Sequence, residues 1–275
     1  MTSSTVEDAQ TGPFSAMHRA RIRPLWRKSA AYVPRICVTR RTRSIICGVS
    51  MPDKPLPEWE ALLSSAAHLQ KIVPGAVLVG GTAAATYAHH RVSLDHDHVL
   101  VDLKERFDAI LADLESVAGW QTARVKRPVL ILGSLDGIET GVRQLIRSEP
   151  LETVEIEAEG VRLTVPTKEE MFRVKSVLAL KRNATRDYLD IAAMSRMLGD
   201  DGVRSALEKF DAYYPQPNGA SPLQQLANQL SNPLPFDLDD TDLSQYKHLN
   251  EQYQDWNVVR DICAHIAVGV IHPML

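Results

Sequence analysis

Asp95 and Asp97 stand two residues apart in the run 94–103, whose alternating character reads as a strand. Successive strand side chains point to opposite faces, so both carboxylates project on one side. Side by side they repel each other and destabilise the fold unless a cation lies between them. A hard divalent ion, Mg²⁺ or Mn²⁺, takes such oxygen donors together with the oxygens of a phosphate substrate. Thirteen residues separate Asp95 from the pair Gly80-Gly81, which closes the apolar run 76–79 and, with Thr82, opens an alanine-rich segment. Glycines let a backbone approach a phosphate closely, and a helix start presents unpaired N–H groups and the positive end of its dipole. Thr82 adds a hydroxyl. Together these residues suit phosphoryl or nucleotidyl transfer.

Several elements must bring the two features together. Residues 57–71 read as an amphipathic helix with Trp59, Leu62, Leu63, Ala66, Ala67 and Leu69 on its apolar stripe. The strand 76–79, a short helix over 83–90, the Asp-x-Asp strand and a helix over 105–118 follow. Short strands are expected at 122–125, 129–132, 154–157 and 161–165, with Leu135-Asp136-Gly137 as a turn. Residues 167–182 form a well-marked helix, with Pro166 before it and Thr167 and Glu170 spaced as a capping box. A helix over 186–198 ends at Gly199-Asp200-Asp201-Gly202, further helices cover 203–231 and 250–270, and 232–244 is a Pro- and Asp-rich loop. Strands in the first half and helices in the second predict an α+β fold: a mixed sheet, flanking helices and a helical C-terminal region.

The composition, 44% hydrophobic and 24% charged over 275 residues, is that of a globular chain with a sizeable core. The net charge of −3 does not point to nucleic acid. Residues 1–50, however, carry nine Lys/Arg against Glu7 and Asp8, leaving the other residues at about −10. That segment has no helical or strand period and reads as a basic, disordered extension, with Met51 as a candidate start of translation. A basic arm for nucleic acid and an organelle transit segment fit the same composition. The expected division is therefore the extension 1–50, a core over 51–165 and a helical region over 166–275. Three cysteines without metal-ligand spacing argue for a reducing compartment, and no apolar run reaches membrane-spanning length, so a cytoplasmic protein is expected. The glycine turn is neither a Walker loop nor a dinucleotide fingerprint, the histidines lack zinc spacing, and no Gly-x-Ser-x-Gly elbow occurs.

The order strand, Gly80-Gly81-Thr82, helix, Arg91-x-Ser93-x-Asp95-x-Asp97 resembles the DNA polymerase β-like nucleotidyltransferase superfamily. Further on, Lys175, Arg182 and Arg186-Asp187-x-x-Asp190 are similar to the Lys…Arg…Arg-Asp-x-x-Asp signature of the AbiEii-type toxin nucleotidyltransferases. At helical spacing Lys175 and Arg182 share one face, and Arg186, Asp187 and Asp190 another. The resemblance covers about residues 74–198. It implies a nucleotidyltransferase-like fold that moves an NMP from an NTP to an acceptor hydroxyl and releases pyrophosphate. Asp95 and Asp97 would be the catalytic pair holding Mg²⁺ (or Mn²⁺), Lys175 would stabilise phosphate charge, and Asp190 would orient Lys175 or act near the acceptor. Gly80, Gly81, Thr82, Arg91, Ser93, Arg182 and Asp187 would bind the nucleotide. Members are toxins of toxin–antitoxin or phage-defence pairs, which implies an antitoxin partner and an RNA (tRNA in some) or protein acceptor.

Two departures accompany the resemblance. His96 and His98 stand where the family has apolar residues, and strand alternation turns them away from the carboxylates to pack under the sheet. Polymerase-like members also use a third carboxylate on a later strand. Glu155, Glu157 and Asp136 are candidates, and each equally reads as a surface residue. A non-catalytic binding or regulatory module on the same fold remains an alternative. So does a small-molecule nucleotidyltransferase of the antibiotic-modifying kind, whose mark would be a carboxylate-lined acceptor pocket, for which 237–242 is the acidic segment.

Overall fold

The strand that carries the two aspartates lies inside a mixed sheet. In the computed structural model, which describes residues 57–147, 149–246 and 248–275, β1 (Val77–Val79), β2 (Asp95–Leu100), β3 (Trp120–Lys126), β4 (Leu130–Leu135) and β5 (Ile138–Gln144) run in the order β1-β2-β5-β4-β3. β2 is antiparallel to β1 and parallel to β5, while β4 is antiparallel to both neighbours. The helices α1 (Pro57–Ile72), α2 (Gly80–Ala88) and α3 (Leu103–Glu115) belong to this half, followed by a separate antiparallel ribbon of β6 (Thr153–Ala158) and β7 (Val161–Pro166). The rest is helical: α4 (Lys168–Arg182), α5 (Thr185–Leu207), α6 (Phe210–Tyr213), α7 (Pro222–Ser231) and α8 (Trp256–His265), which continues into a π-helical stretch, Ile266–Ile271. This is the expected α+β class. The proposed extension 1–50 and the start at Met51 lie outside the described residues. No helix among the described residues is long and apolar enough to cross a membrane.

Two apolar clusters hold these elements. Leu103, Phe107, Ile110 and Leu114 of α3 pack with Trp120, Ile131, Leu135 and Val142 of the sheet. A larger cluster joins α1, α2, α4, α5, α7 and the C-terminal helix through residues such as Leu63, Ala83, Phe172, Tyr188, Leu226 and Ile266.

Three local expectations need correction. The first concerns β5, which the periodicity missed. Its run Ile-Glu-Thr-Gly-Val-Arg-Gln does place Ile138, Thr140 and Val142 at alternate positions, but a central glycine and the charged Glu139 and Arg143 interrupt it. The structure gives the reason for Gly141: a Cβ there would lie 2.5 Å from Leu132 Cδ2, on the strand position paired with Asp97. The second concerns Gly199, where the chain bends (φ 67°, ψ 172°) and then resumes the helix, because Val203, Ala206 and Leu207 still have a core to bury against. The third concerns α4. Thr167 accepts from the Glu170 N–H, but the Glu170 carboxylate does not return to cap Thr167. It is fully buried and bonds Arg147 (2.9 and 2.9 Å) and Arg173 (2.7 Å), guanidinium groups that burial would otherwise leave uncompensated.

His96 and His98 are fully buried beneath the sheet, their rings 5.3 Å apart and edge to face. The Ser65 hydroxyl donates to the Leu135 carbonyl (3.2 Å), so it accepts from His96 Nε2 (3.0 Å), and His96 Nδ1 accepts from Thr140 Oγ1 (2.9 Å). Both His96 nitrogens are thus satisfied by the neutral ring, and burial pushes its pKa down to about 4. Burial also holds His98 well below its ordinary value. The unfolded chain binds protons that these folded rings refuse, so stability is complete above about pH 6.5 and falls as pH drops towards 4. At pH 5 the His96 contribution alone is about 2 kcal/mol. The urea midpoint is therefore expected to be lower at pH 5 than at pH 7.5, with the gap narrowing in His98→Leu. An unchanged gap in that variant would remove His98 from the effect.

Candidate active site

The glycine turn is built against the aspartate strand. β1 pairs with β2 so that Val79 lies opposite Asp97, and α2 begins at once on Gly80 rather than at Ala83 as expected. Gly80 has φ +78°, the left-handed region that favours glycine, and its Cβ position lies 3.5 Å from the Asp97 side chain. Gly81 is required for space. A Cβ there would sit 2.5 Å from Arg91 Nη2 and 2.9 Å from Ser93 Oγ. Gly81→Ala is expected to displace the Arg91 guanidinium and cost about 1–3 kcal/mol in urea unfolding. A variant as stable as the parent would show that Arg91 moves freely.

β2 alternates as predicted, with Asp95 and Asp97 on its half-buried face and the histidines on the other. Ser93 Oγ donates to Asp95 Oδ1 at 2.7 Å, and Arg143 Nε on β5 lies 3.4 Å from Asp97 Oδ1. These carboxylates, with Gly80, Gly81, Arg91 and Ser93, line one side of a pocket. Lys175 and Arg182 from α4 and Arg186 from α5 complete the lining. The two halves of the sequence pattern therefore meet.

Behind the lining lies a buried charge cluster centred on Asp190. Its carboxylate accepts from Arg91 Nε (2.8 Å) and Nη2 (3.0 Å), from His90 Nε2 (2.7 Å) and from Lys175 Nζ (2.6 Å). Asp187 receives Arg182 at 2.7 and 3.1 Å and lies 3.9 Å from Lys175. Burial alone would raise the Asp190 pKa, but the charges of Arg91 and Lys175 and the His90 bond overcome it and hold the carboxyl well below its usual range. For His90 the balance is reversed: burial outweighs Asp190 and lowers its pKa, so the neutral ring donates from Nε2.

Placement follows from this geometry. Gly80, Gly81, Arg91, Ser93, Asp95, Asp97, Lys175 and Arg182 come together as read from the sequence. Thr82, Asp187 and Asp190 are fully buried and do not line the pocket. Thr82 Oγ1 donates to the Asp95 carbonyl (2.5 Å), fixing the β2 backbone, and the two aspartates orient the cations from behind. Arg186, His90 and Arg143 received no site role from the sequence. Arg186 belonged to the quoted signature, whereas Arg143 was hidden with β5. Glu155 and Glu157 stand exposed on β6, and Asp136 sits in the β4–β5 turn beside His68 (3.2 Å), all away from the pocket lining. Glu139 pairs with Asp95 in register but is exposed and also outside the lining.

The donor set decides which ion the pocket suits. The described residues hold no cluster of three or more His, Cys, Asp or Glu with metal-site geometry. Two carboxylates on an open face fit Mg²⁺ or Mn²⁺, which complete their shells with water and substrate phosphate, and not a closed nitrogen or sulfur site.

No family model matches the chain. Over 128 residues, 46% of the chain, it is 30% identical to the mycolic acid-containing lipids exporter MmpL11 of Mycolicibacterium smegmatis. It is 31% identical over the same length to the heme uptake protein MmpL11 of Mycobacterium tuberculosis. The matched spans are 13% of those proteins, so the chain corresponds to a small part of the curated relatives it matches. Among solved structures, JHP933 from Helicobacter pylori superposes with a TM-score of 0.49 at 16% identity, covering 78% of this chain and 91% of that one. A candidate nucleotidyltransferase from H. pylori gives a TM-score of 0.49 at 15% identity, covering 79% and 94%. With likeness at that level, the chemistry of the site follows from its own residues.

Proposed function

We propose that the chain is a metal-dependent nucleotidyltransferase that moves an NMP from an NTP to a hydroxyl on RNA or protein. The observation that carries this reading is the pocket itself, in which two strand carboxylates and a glycine turn share one lining with Arg91, Lys175, Arg182 and Arg186. A triphosphate is highly anionic, and a site with both a metal-binding pair and fixed cations matches it. Asp95 and Asp97 would hold Mg²⁺ or Mn²⁺, which would supply charge neutralisation for the phosphates and a lower proton affinity at the acceptor hydroxyl.

The remaining work belongs to the chain. The Gly80-Gly81 backbone and the start of α2 receive phosphate oxygens. Ser93 orients Asp95 through its 2.7 Å bond. Lys175 and Arg91, held by Asp190, and Arg182, held by Asp187, keep their charges directed while pyrophosphate leaves. Arg186 has no ion-pair partner among the described residues, which leaves its charge for the substrate. Catalysis of this kind is positioning and electrostatics, with no covalent enzyme intermediate. The role as the toxin of a toxin–antitoxin or phage-defence pair, acting in the cytoplasm with an antitoxin protein as partner, rests on the Lys175, Arg182 and Arg186-Asp187-x-x-Asp190 signature.

The test is incubation of the full chain with each NTP, labelled at the α or the γ position, with Mg²⁺ and total RNA or protein. The α label is expected to join the acceptor and the γ label to leave as pyrophosphate. Transfer of the γ label would make the reaction phosphoryl transfer, and neither transfer nor NTP binding would end the enzyme reading.

A further inference from the structure

We infer that the segment 234–246 forms the base subsite of this pocket, with the Phe236 ring as the surface on which the base of the triphosphate stacks; the inference rests on the nucleotide reading above. The pocket lining consists of glycine, serine, aspartate, arginine and lysine, so it offers a base no apolar face. Phe236 is held by its backbone to Asn183, the residue after Arg182 of that lining. Phe236 is 69% exposed, and no other Phe, Tyr or Trp among the described residues is exposed.

A lone exposed apolar residue is ordinary, but the backbone that presents this one is fixed at several points. The Phe236 N–H donates to the Asn183 carbonyl (3.0 Å), and Asn183 Nδ2 donates to the Leu234 carbonyl (2.7 Å). Asp237 accepts from the Thr185 N–H (2.7 Å) and hydroxyl (2.8 Å). Asn183 is itself the left-handed cap of α4, and its side-chain oxygen is held by Gln229 and the Tyr188 hydroxyl. All these anchors lie on the link Asn183–Thr185, directly between Arg182 and Arg186, and both of those residues line the pocket. At the other end of the segment, Tyr246 lies within the fields of Arg91 and Arg186, which also line it. The segment is thus tied at one end to the link between two residues of the cationic wall and lies at the other within the fields of two, and Phe236 is its exposed aromatic residue.

An aromatic face binds by stacking and reads no base edge, so this subsite tolerates all four bases and favours the larger purines. The test is calorimetric titration of the full chain, in Mg²⁺, with α,β-methylene NTP analogues and with inorganic tripolyphosphate. Phe236→Ala is expected to weaken the purine analogue about tenfold while leaving tripolyphosphate unchanged, with Phe236→Trp restoring the parent affinity. Thermal melting should match the parent, since the ring buries little. If tripolyphosphate and the analogues bind the parent and Phe236→Ala changes neither, the subsite is wrong and the phosphate pocket stands. The subsite is equally wrong if Phe236→Ala slows only transfer to RNA, which would assign the ring to the acceptor. If the parent binds neither ligand, the nucleotide reading itself fails.

Discussion

Asp190→Ala is expected to destabilise the fold by about 3–5 kcal/mol, a large share of the 5–15 kcal/mol typical of a domain. The carboxylate is fully buried and compensates Arg91 and Lys175, whose side chains are 3% and 1% exposed. Its removal leaves two buried cations with only partial compensation: Asp187 lies 3.9 Å from Lys175 but is already paired with Arg182, and Asp95 acts on Arg91 from the pocket side. Lys175→Met is a useful contrast. There Asp190 keeps Arg91 and His90, so the loss of stability is smaller while a charge of the pocket lining disappears. Urea unfolding of both variants measures the difference. An Asp190→Ala protein as stable as the parent would show that the cluster does not organise the pocket.

Asp97→Ala should behave in the opposite way. Its side chain is 32% exposed, and its ion pair with the half-exposed Arg143 is long at 3.4 Å, so little stability depends on it. Transfer of the α label, in contrast, is expected to fall at least ~10²-fold, because the proposed metal would lose one of its two protein carboxylates. Melting and label transfer measured on the same preparation separate the two effects. Retained transfer in a folded Asp97→Ala protein would exclude Asp97 from the metal site.

The parts of this site that lie close in sequence were legible there. Gly80-Gly81 and Asp95-x-Asp97 announce themselves because a strand fixes the facing of alternate residues and a glycine pair is strong punctuation. Lys175, Arg182 and Asp190 were legible as helical faces, and the resemblance placed them opposite the aspartates. What each face meets was not legible. Thr82 turns its hydroxyl to the Asp95 carbonyl because tertiary packing buries it, and a sequence cannot distinguish that from a phosphate contact. Asp190 likewise reads as a site residue until its burial shows that it directs Arg91 and Lys175 rather than facing the pocket. Arg143 stayed hidden because Gly141 breaks the β5 run between Thr140 and Val142, so the strand that carries it was not read. Phe236 was lost in a Pro- and Asp-rich stretch that reads as a bare connection, although its backbone is tied to the α4–α5 link.

The most direct measurement of the central claim is a Mn²⁺ titration followed by electron paramagnetic resonance, with and without a non-hydrolysable NTP. The parent protein is expected to bind Mn²⁺ tightly only when the nucleotide is present, and Asp95→Asn/Asp97→Asn is expected to lose that binding while remaining folded. Equal Mn²⁺ binding by the parent and the double variant would contradict a metal held between these two aspartates.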